Sequence, residues 1–221
     1  MRVIASRTGS SGNSSILEVE GSYIIIDVGV PPGDVMAWLD DNYIYPWEVA
    51  GIVVTHSHYD HNAYVGSPSW QAIGEPVQAA AYDEFTLGEM KITCTPVQHD
   101  RECVALLIEC NGERVGWITD CGKIPDFRGD WSNLDLLAIE CNHSLPILNR
   151  SRYTQDLRLR VATNHLSTIE ACEIVNQLKP KAMMPLHVSH NGNNEKALYA
   201  DIARWLEPGP RLIFDFFEKN Y

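Results

Sequence analysis

The sequence predicts an α/β sandwich with sheets and helices in layers, not a regularly alternating doubly wound sheet. Two observations carry this: strand-like runs rich in branched residues dominate both halves of the chain, and helical periodicity follows them in each half. A third concerns size. At 221 residues, 45% hydrophobic and 21% charged, the chain suits one domain over 1–221 with a sizeable core. No Pro/Gly/Ser-rich linker or charge block divides it.

The opening reads as three strands, "RVIAS", "SILEVEG" and "YIIIDVG". Between the first two, "TGSSGNSS" lacks the spacing of a nucleotide-cradling loop and precedes a strand, so it reads as a tight turn whose hydroxyls and amides can line a cleft. "GDVMAWLDD" has the pattern of a short amphipathic helix, and "GIVVT" of a buried strand. The middle holds "MKITCTPVQH", "CVALLIECN", "ERVGWITD" and "LDLLAIECN" as short strands, with Asn111-Gly112 as a hairpin signal. From about Arg152 the period turns helical, in "QDLRLRVATN" and then in "STIEACEIVNQLKP", which Pro180 stops. Ser167 or Thr168 suits the cap of the latter. "KAMMPLHVS" reads as strand, "NEKALYADIARWL" as helix and "RLIFDFF" as a last strand.

Composition excludes several classes. The six cysteines form no CxxC pair and fall largely within apolar runs, which predicts buried free thiols in a reducing compartment. No apolar run approaches the ~18 residues of a membrane span, and the N-terminus lacks the apolar region of a secretion signal, so the chain is read as cytosolic. A net charge of −12 disfavours a large duplex interface, because phosphate binding needs a basic footprint. The local basic run "NRSRYTQDLRLR" can still guide a phosphate-bearing ligand, or simply form a solvated helix face.

The densest chemistry lies in "GIVVTHSHYDHNAYVG", where His56, His58, Asp60 and His61 follow an apolar strand. Residues two apart on a strand share a side, so His56 and His58 aim at one point. Asp60 and His61 lie where the chain must turn and can serve a second. Imidazole with carboxylate suits Zn²⁺ first, and Mn²⁺, Fe²⁺ or Co²⁺ next. His99, Asp120 and His187 each end or follow a strand, where a sheet offers side chains to a shared cleft.

On "THSHYDH", His99, "ITDCG", "NHLST" and "LHVSHNGNN", the chain resembles the metallo-β-lactamase-fold hydrolases over nearly its whole length. "TGSSGNSS" and "HVSHNGNN" are most similar to the YycJ/WalJ-like branch, related to ribonuclease Z and PhnP-type phosphodiesterases. The resemblance implies a four-layer αββα sandwich and two divalent metal ions. It gives His56, His58 and His99 to the first ion and Asp60, His61 and His187 to the second, with Asp120 bridging both and His190 as the alternative to His187. Members that bind iron for redox work tend to have Glu where His58 stands. Lactam-cleaving members usually have Cys where Asp120 stands, and Cys121 is only its neighbour. Both activities are therefore disfavoured.

Two cations that share a carboxylate can share a water, whose pKa falls from ~15.7 to about 7. Asp60 is the expected proton acceptor as well as a ligand. His165, in "NHLST", resembles a histidine that assists the leaving group in ribonuclease Z-like relatives. A positioned acid of that kind contributes roughly 10²–10⁴-fold in rate. His143 is a candidate for a supporting shell or a substrate contact, and Glu140 and Asn142 for a supporting shell. The implied activity is phosphodiester hydrolysis by a nuclease acting on DNA or RNA. Alternatives are a phosphodiesterase for small cyclic nucleotides and a glyoxalase II-like thioester hydrolase. The expected partner is nucleic acid or a nucleotide, with no membrane, and a homodimer is left open.

Overall fold

Alternation along the strands sorts the apolar residues onto two faces of each sheet, and the computed structural model, which describes residues 1–127 and 129–213, shows where each face goes. The first sheet contains β1 (Arg2–Arg7), β2 (Ser14–Val19), β3 (Ser22–Ile26), β4 (Val49–Val54) and β5 (Val77–Gln78), in that spatial order. The second contains β6 (Glu84–Leu87), β7 (Met90–Val97), β8 (Cys103–Cys110), β9 (Glu113–Ile118), β10 (Leu136–Glu140), β11 (Ala182–Leu186) and β12 (Arg211–Leu212), also in chain order across the sheet. Both sheets are mixed. β1 to β3 are antiparallel and β3 to β5 parallel; β6 to β9 are antiparallel and β9 to β12 parallel.

Leu17, Val19, Ile24, Ile26 and Val53 of the first sheet pack against Ile92, Leu106, Ile108, Trp117, Ala138 and Met184 of the second, forming the central core. The intervening residues point outward. Ile16, Ile25, Ile52 and Val54 pack with Val35 and Leu39 of α1 (Pro32–Asp41). Leu107, Ile118, Leu137, Ile139 and Met183 pack with α5 (Thr168–Leu178) and α6 (Glu195–Trp205). Helix, sheet, sheet, helix is the αββα sandwich that the resemblance implied. At roughly 25 cal/mol per Å² of apolar surface, these three clusters provide the main drive for folding.

Most expected elements appear. Asn111-Gly112 turns β8 into β9 with left-handed φ of 48° and 91°, as a two-residue hairpin requires. Ser167 caps α5 and its Glu170 reaches back, a reciprocal pair that satisfies two end donors. Short elements without a sequence signal are α2 (Tyr59–Asn62), β5, β6 and α3 (Leu145–Arg150). α4 (Gln155–Asn164) buries none of its residues and lies on the surface. Of the expected last strand, Arg211–Leu212 is formed, while its residues from Phe214 onward lie outside the described ones. No helix among the described residues is long and apolar enough to cross a membrane.

The directions matter for function. β7, β9, β10 and β11 run the same way, as do β3 and β4, and an isolated bridge joins His56 to Cys103 across the two sheets. The carboxyl ends of all these strands therefore open on one rim, where α/β sheets offer side chains to a ligand.

Candidate metal centre

β4 delivers His56 at its end, and the chain then turns into α2, with His58 at the cap position. One helical turn brings Asp60 and His61 back toward β3. Val28 N–H bonds the His61 carbonyl at 2.8 Å, and Asn13 N–H bonds the Asp60 carbonyl at 2.6 Å. Gly29 lies beneath this turn, and a Cβ there would overlap the Asp60 carbonyl oxygen. His99 follows β7, Asp120 follows β9, Glu140 ends β10 and His187 follows β11.

The structure brings all seven expected ligand residues together. His58 Nδ1 lies 3.1 Å from His56 Nε2 and 3.0 Å from His99 Nε2. Asp120 Oδ2 is 3.5 Å from each of those two Nε2 atoms. Its other oxygen, Oδ1, is 3.6 Å from His61 Nε2 and 3.0 Å from His187 Nδ1. Asp60 Oδ2 completes that side, 3.7 Å from His61 Nε2 and 3.8 Å from His187 Nε2. Two groups thus meet at one carboxylate, and each takes a different oxygen of it. His190 is exposed and belongs to neither group, so the alternative to His187 is not brought to the centre.

The hydrogen bonds at the outer edges test whether these residues fit a cation. His56 Nδ1 bonds Thr55 Oγ1, which in turn donates to Asp27. His58 Nε2 faces Asp100 Oδ1 at 3.1 Å, and His99 Nδ1 donates to the Asn164 carbonyl at 3.0 Å. A neutral imidazole whose one nitrogen donates has a lone pair on the other. The lone pairs of His56 and His99 therefore each meet that of His58, at 3.1 and 3.0 Å, which is repulsive until a cation sits between them. On the second side His61 Nδ1 donates to Asp27 Oδ2 at 2.7 Å, and its Nε2 accepts from the Asn13 amide at 2.9 Å. Asp120 Oδ1 and His187 Nε2 are buried with no hydrogen-bond partner among the described residues. The donor set fits divalent ions.

Electrostatics agree at the first group; at the second, burial opposes charge on His61 and His187 but the neighbouring carboxylates outweigh it and raise both pKa values. Burial, aided by the neighbouring imidazoles, lowers the pKa of His58 and His99 and keeps them neutral. Burial alone would raise Asp60 and Asp120, but the histidines around them prevail. Asp60 is held at about 2 and Asp120 well below the ordinary carboxylate range, so both stay ionised. Asp27 and His187 adopt left-handed φ of 64° and 49°, uncommon for residues other than glycine.

Glu140 ties the centre to His165. Its Oε1 accepts from His165 Nδ1 at 2.7 Å and from His187 Nδ1 at 2.8 Å, while Oε2 accepts the Cys121 and Leu166 amides. Burial opposes charge on His165, but the Glu140 carboxylate outweighs it and raises the imidazole pKa. With Nδ1 so held, Nε2 is the free nitrogen of a ring that is 19% exposed. His165 lines a cleft of about 230 Å³ with His58, Asp60, Asp120, Tyr153 and Arg160. Ser10, from the opening Gly-rich turn, also lines it. His143 is buried outside the cleft lining, and Asn142 donates to the His187 carbonyl.

Sequence reasoning missed Asp27, Thr55, Asn13 and Asp100. Their only local signal is an acid, amide or hydroxyl at the end of a strand or turn. Cys121 is fully buried and its thiol bonds the Lys123 carbonyl at 2.8 Å, so it is not among the grouped donors.

Two family models cover this constellation. Residues 7–80, with the HxHxDH cluster, match the metallo-beta-lactamase superfamily, and residues 68–188, more than half of the chain, match a beta-lactamase superfamily domain. The chain belongs to the metallo-β-lactamase superfamily. As a hydrolase of that superfamily it carries a His/Asp cluster suited to divalent metal ions. It is 24% identical to the exodeoxyribonuclease WalJ of Streptococcus pneumoniae, over 86% of this chain and 82% of that one. It is 21% identical to the exodeoxyribonuclease YycJ of Bacillus anthracis, over 96% and 91%. Among solved structures of the superfamily, the metallo-β-lactamase fold protein YhfI from Bacillus subtilis superposes with a TM-score of 0.72 at 18% identity, covering 97% of this chain and 96% of that one.

Proposed function

We propose that the protein is a dinuclear phosphodiesterase that cleaves nucleic acid, a nuclease on DNA or RNA. The observation that carries this reading is the division of Asp120, one oxygen toward His56 and His99 and the other toward His61 and His187. His56, His58, His99 and Asp120 would hold one ion, and Asp60, His61, His187 and Asp120 the other. Bound there, Zn²⁺ or Mn²⁺ would polarise a phosphoryl oxygen and bring the pKa of water near ~7. The relatives named exodeoxyribonucleases favour a nucleic-acid substrate over a cyclic nucleotide or a thioester.

The chain's own residues do the rest. Asp60, ionised and lining the cleft, accepts the proton of the attacking water. His165 holds a proton at Nε2 because Glu140 fixes its Nδ1 and favours the charged ring. That proton goes to the leaving alkoxide. Arg160, paired with Asp100 at the rim, supplies positive charge beside the phosphate path.

Elemental analysis of purified protein, followed by turnover of bis-nitrophenyl phosphate, cyclic nucleotides, labelled oligonucleotides and a glutathione thioester, tests the reading. Two metal equivalents per chain and cleavage of oligonucleotides are expected. Asp120→Ala should lose both the metals and the hydrolysis. Full turnover by metal-free protein would overturn the dinuclear reading, and turnover of the thioester alone would replace the substrate class. His165→Ala should keep the metals and slow esters of poor leaving groups by roughly 10²–10⁴-fold, with a much smaller loss for nitrophenyl esters. Equal losses would remove His165 from the role of acid.

A further inference from the structure

The basic run 149–160 is only partly absorbed by the centre. Of its four arginines, Arg160 pairs with Asp100 at 2.6 Å, and Arg158 donates to the Asn149 carbonyl, which ties α4 to the end of α3. Arg150 and Arg152 have no ion pair among the described residues, although the chain carries 29 acidic side chains against 17 basic ones. Both line a second pocket of about 410 Å³, together with Ser151, His190 and Asn191. Its apolar wall is Pro146 and Ile147, and no carboxylate lines it.

This pocket adjoins the catalytic cleft through both of its walls. Tyr153 lines the cleft and Arg152 the pocket; Ser189 lines the cleft, and His190 and Asn191 the pocket. A ligand continuing out of the cleft over either wall meets two unpaired guanidiniums. Guanidinium forks suit phosphate oxygens, and their charge opposes the sign of the whole molecule. Two arginines are too few to hold a duplex against a net charge of −12, but they suffice for one backbone phosphate. Beside them, Pro146 and Ile147 offer an apolar surface to an unpaired nucleotide.

We infer that this pocket is a second phosphate subsite, which holds the backbone phosphate next to the cleaved one in a single-stranded polynucleotide. The inference rests on the phosphodiesterase reading for the cleft itself. It gives the exposed His190 a place as well, as a donor to that phosphate and not as a metal ligand.

The test is equilibrium binding of a fluorescein-labelled, phosphorothioate-linked tetrathymidylate, which resists cleavage, to the metal-loaded protein across a salt series. Arg150→Gln/Arg152→Gln should weaken binding at least tenfold at low salt. It should also flatten the plot of log affinity against log salt by ~0.7, the slope of one single-strand phosphate contact. A purely structural change would leave that slope in place. Affinity within twofold of wild type with an unaltered slope would overturn the inference, as would a wild-type protein that does not bind the tetranucleotide. Hydrolysis of bis-nitrophenyl phosphate by the wild type is read separately. An inactive wild type whose oligonucleotide affinity still depends on these arginines would sink the phosphodiesterase reading and leave the subsite.

Discussion

Asp27 Oδ2 accepts a hydrogen bond from His61 Nδ1 at 2.7 Å, so a residue just past β3 decides which edge of the imidazole faces Asp120. The same carboxylate accepts the Thr55 amide at 2.7 Å and the Thr55 hydroxyl at 2.9 Å. That hydroxyl in turn orients His56. One buried acid therefore sets the rings of one histidine in each ligand group.

Asp27→Ala should accordingly lower metal affinity by about 10–100-fold, the usual cost of losing a partner that orients a ligand. Competition with a chromophoric chelator measures it. Asp27→Asn keeps the shape and one acceptor oxygen, so its loss should be smaller. Equal affinity in wild type and Asp27→Ala would mean that the imidazoles are held by packing alone.

The clustered histidines and aspartates were legible in the sequence as candidate ligands, and this partner was not, for a physical reason. A strand period aims His56 and His58 at one point, the turn into α2 brings Asp60 and His61 to the same rim, and His99, Asp120 and His187 each stand at a strand end where no apolar packing would favour them. Asp27 follows "YIII" in the way many acids close a strand. Its role depends on residues 28 and 34 positions away, which no spacing encodes. Glu140 was legible as a candidate for a supporting shell but its partners were not, since it ends the buried strand β10 and meets His187 and His165 only when β11 and the loop before α5 bring them to it. The sandwich followed from alternation, whereas β5 and β6 are too short and exposed to leave a pattern.

Gly122→Ala should damage the site from a distance. A Cβ at Gly122 would overlap the Thr163 carbonyl oxygen and lie 3.2 Å from Asn164 Cα. The end of α4 must then move, and with it the Asn164 carbonyl that fixes His99 and the start of the segment that bears His165. Crowding of this kind costs about 1–3 kcal/mol. Urea unfolding should show that loss, and turnover should fall more than metal content does. A variant with wild-type stability and turnover would show that α4 yields without disturbing the centre.

The thiols should be silent in the native protein. All six cysteines are free and buried, and burial pushes Cys94, Cys121 and Cys172 up to about 12. At pH 8 a disulfide reagent should therefore label fewer than one thiol per native chain and six after denaturation. The same shifts give a sign for stability. Unfolded thiols release protons above pH ~9 while native ones retain them, so stability should be unaffected by the thiols below pH 9 and should fall as pH rises from 9 toward 12. Rapid labelling of a native thiol, or a denaturation midpoint that rises over that range, would contradict the burial.

Glu140→Gln separates the two tasks of this residue. The carboxylate has four donors, two imidazole N–H groups on Oε1 and two amides on Oε2. Glutamine replaces one oxygen with an NH₂ group, so one of those pairs must meet a donor instead of an acceptor. If the amide oxygen stays with the Cys121 and Leu166 amides, its NH₂ group faces His165 and His187 and each ring loses its acceptor. His165 then no longer favours a proton, and esters with poor leaving groups should slow by roughly 10²-fold or more. His187 would turn or change tautomer, which weakens the second ion by about 10–100-fold. Supplying excess metal should restore the second effect and not the first. Recovery of full activity on poor leaving groups by metal alone would place Glu140 in the service of His187 only.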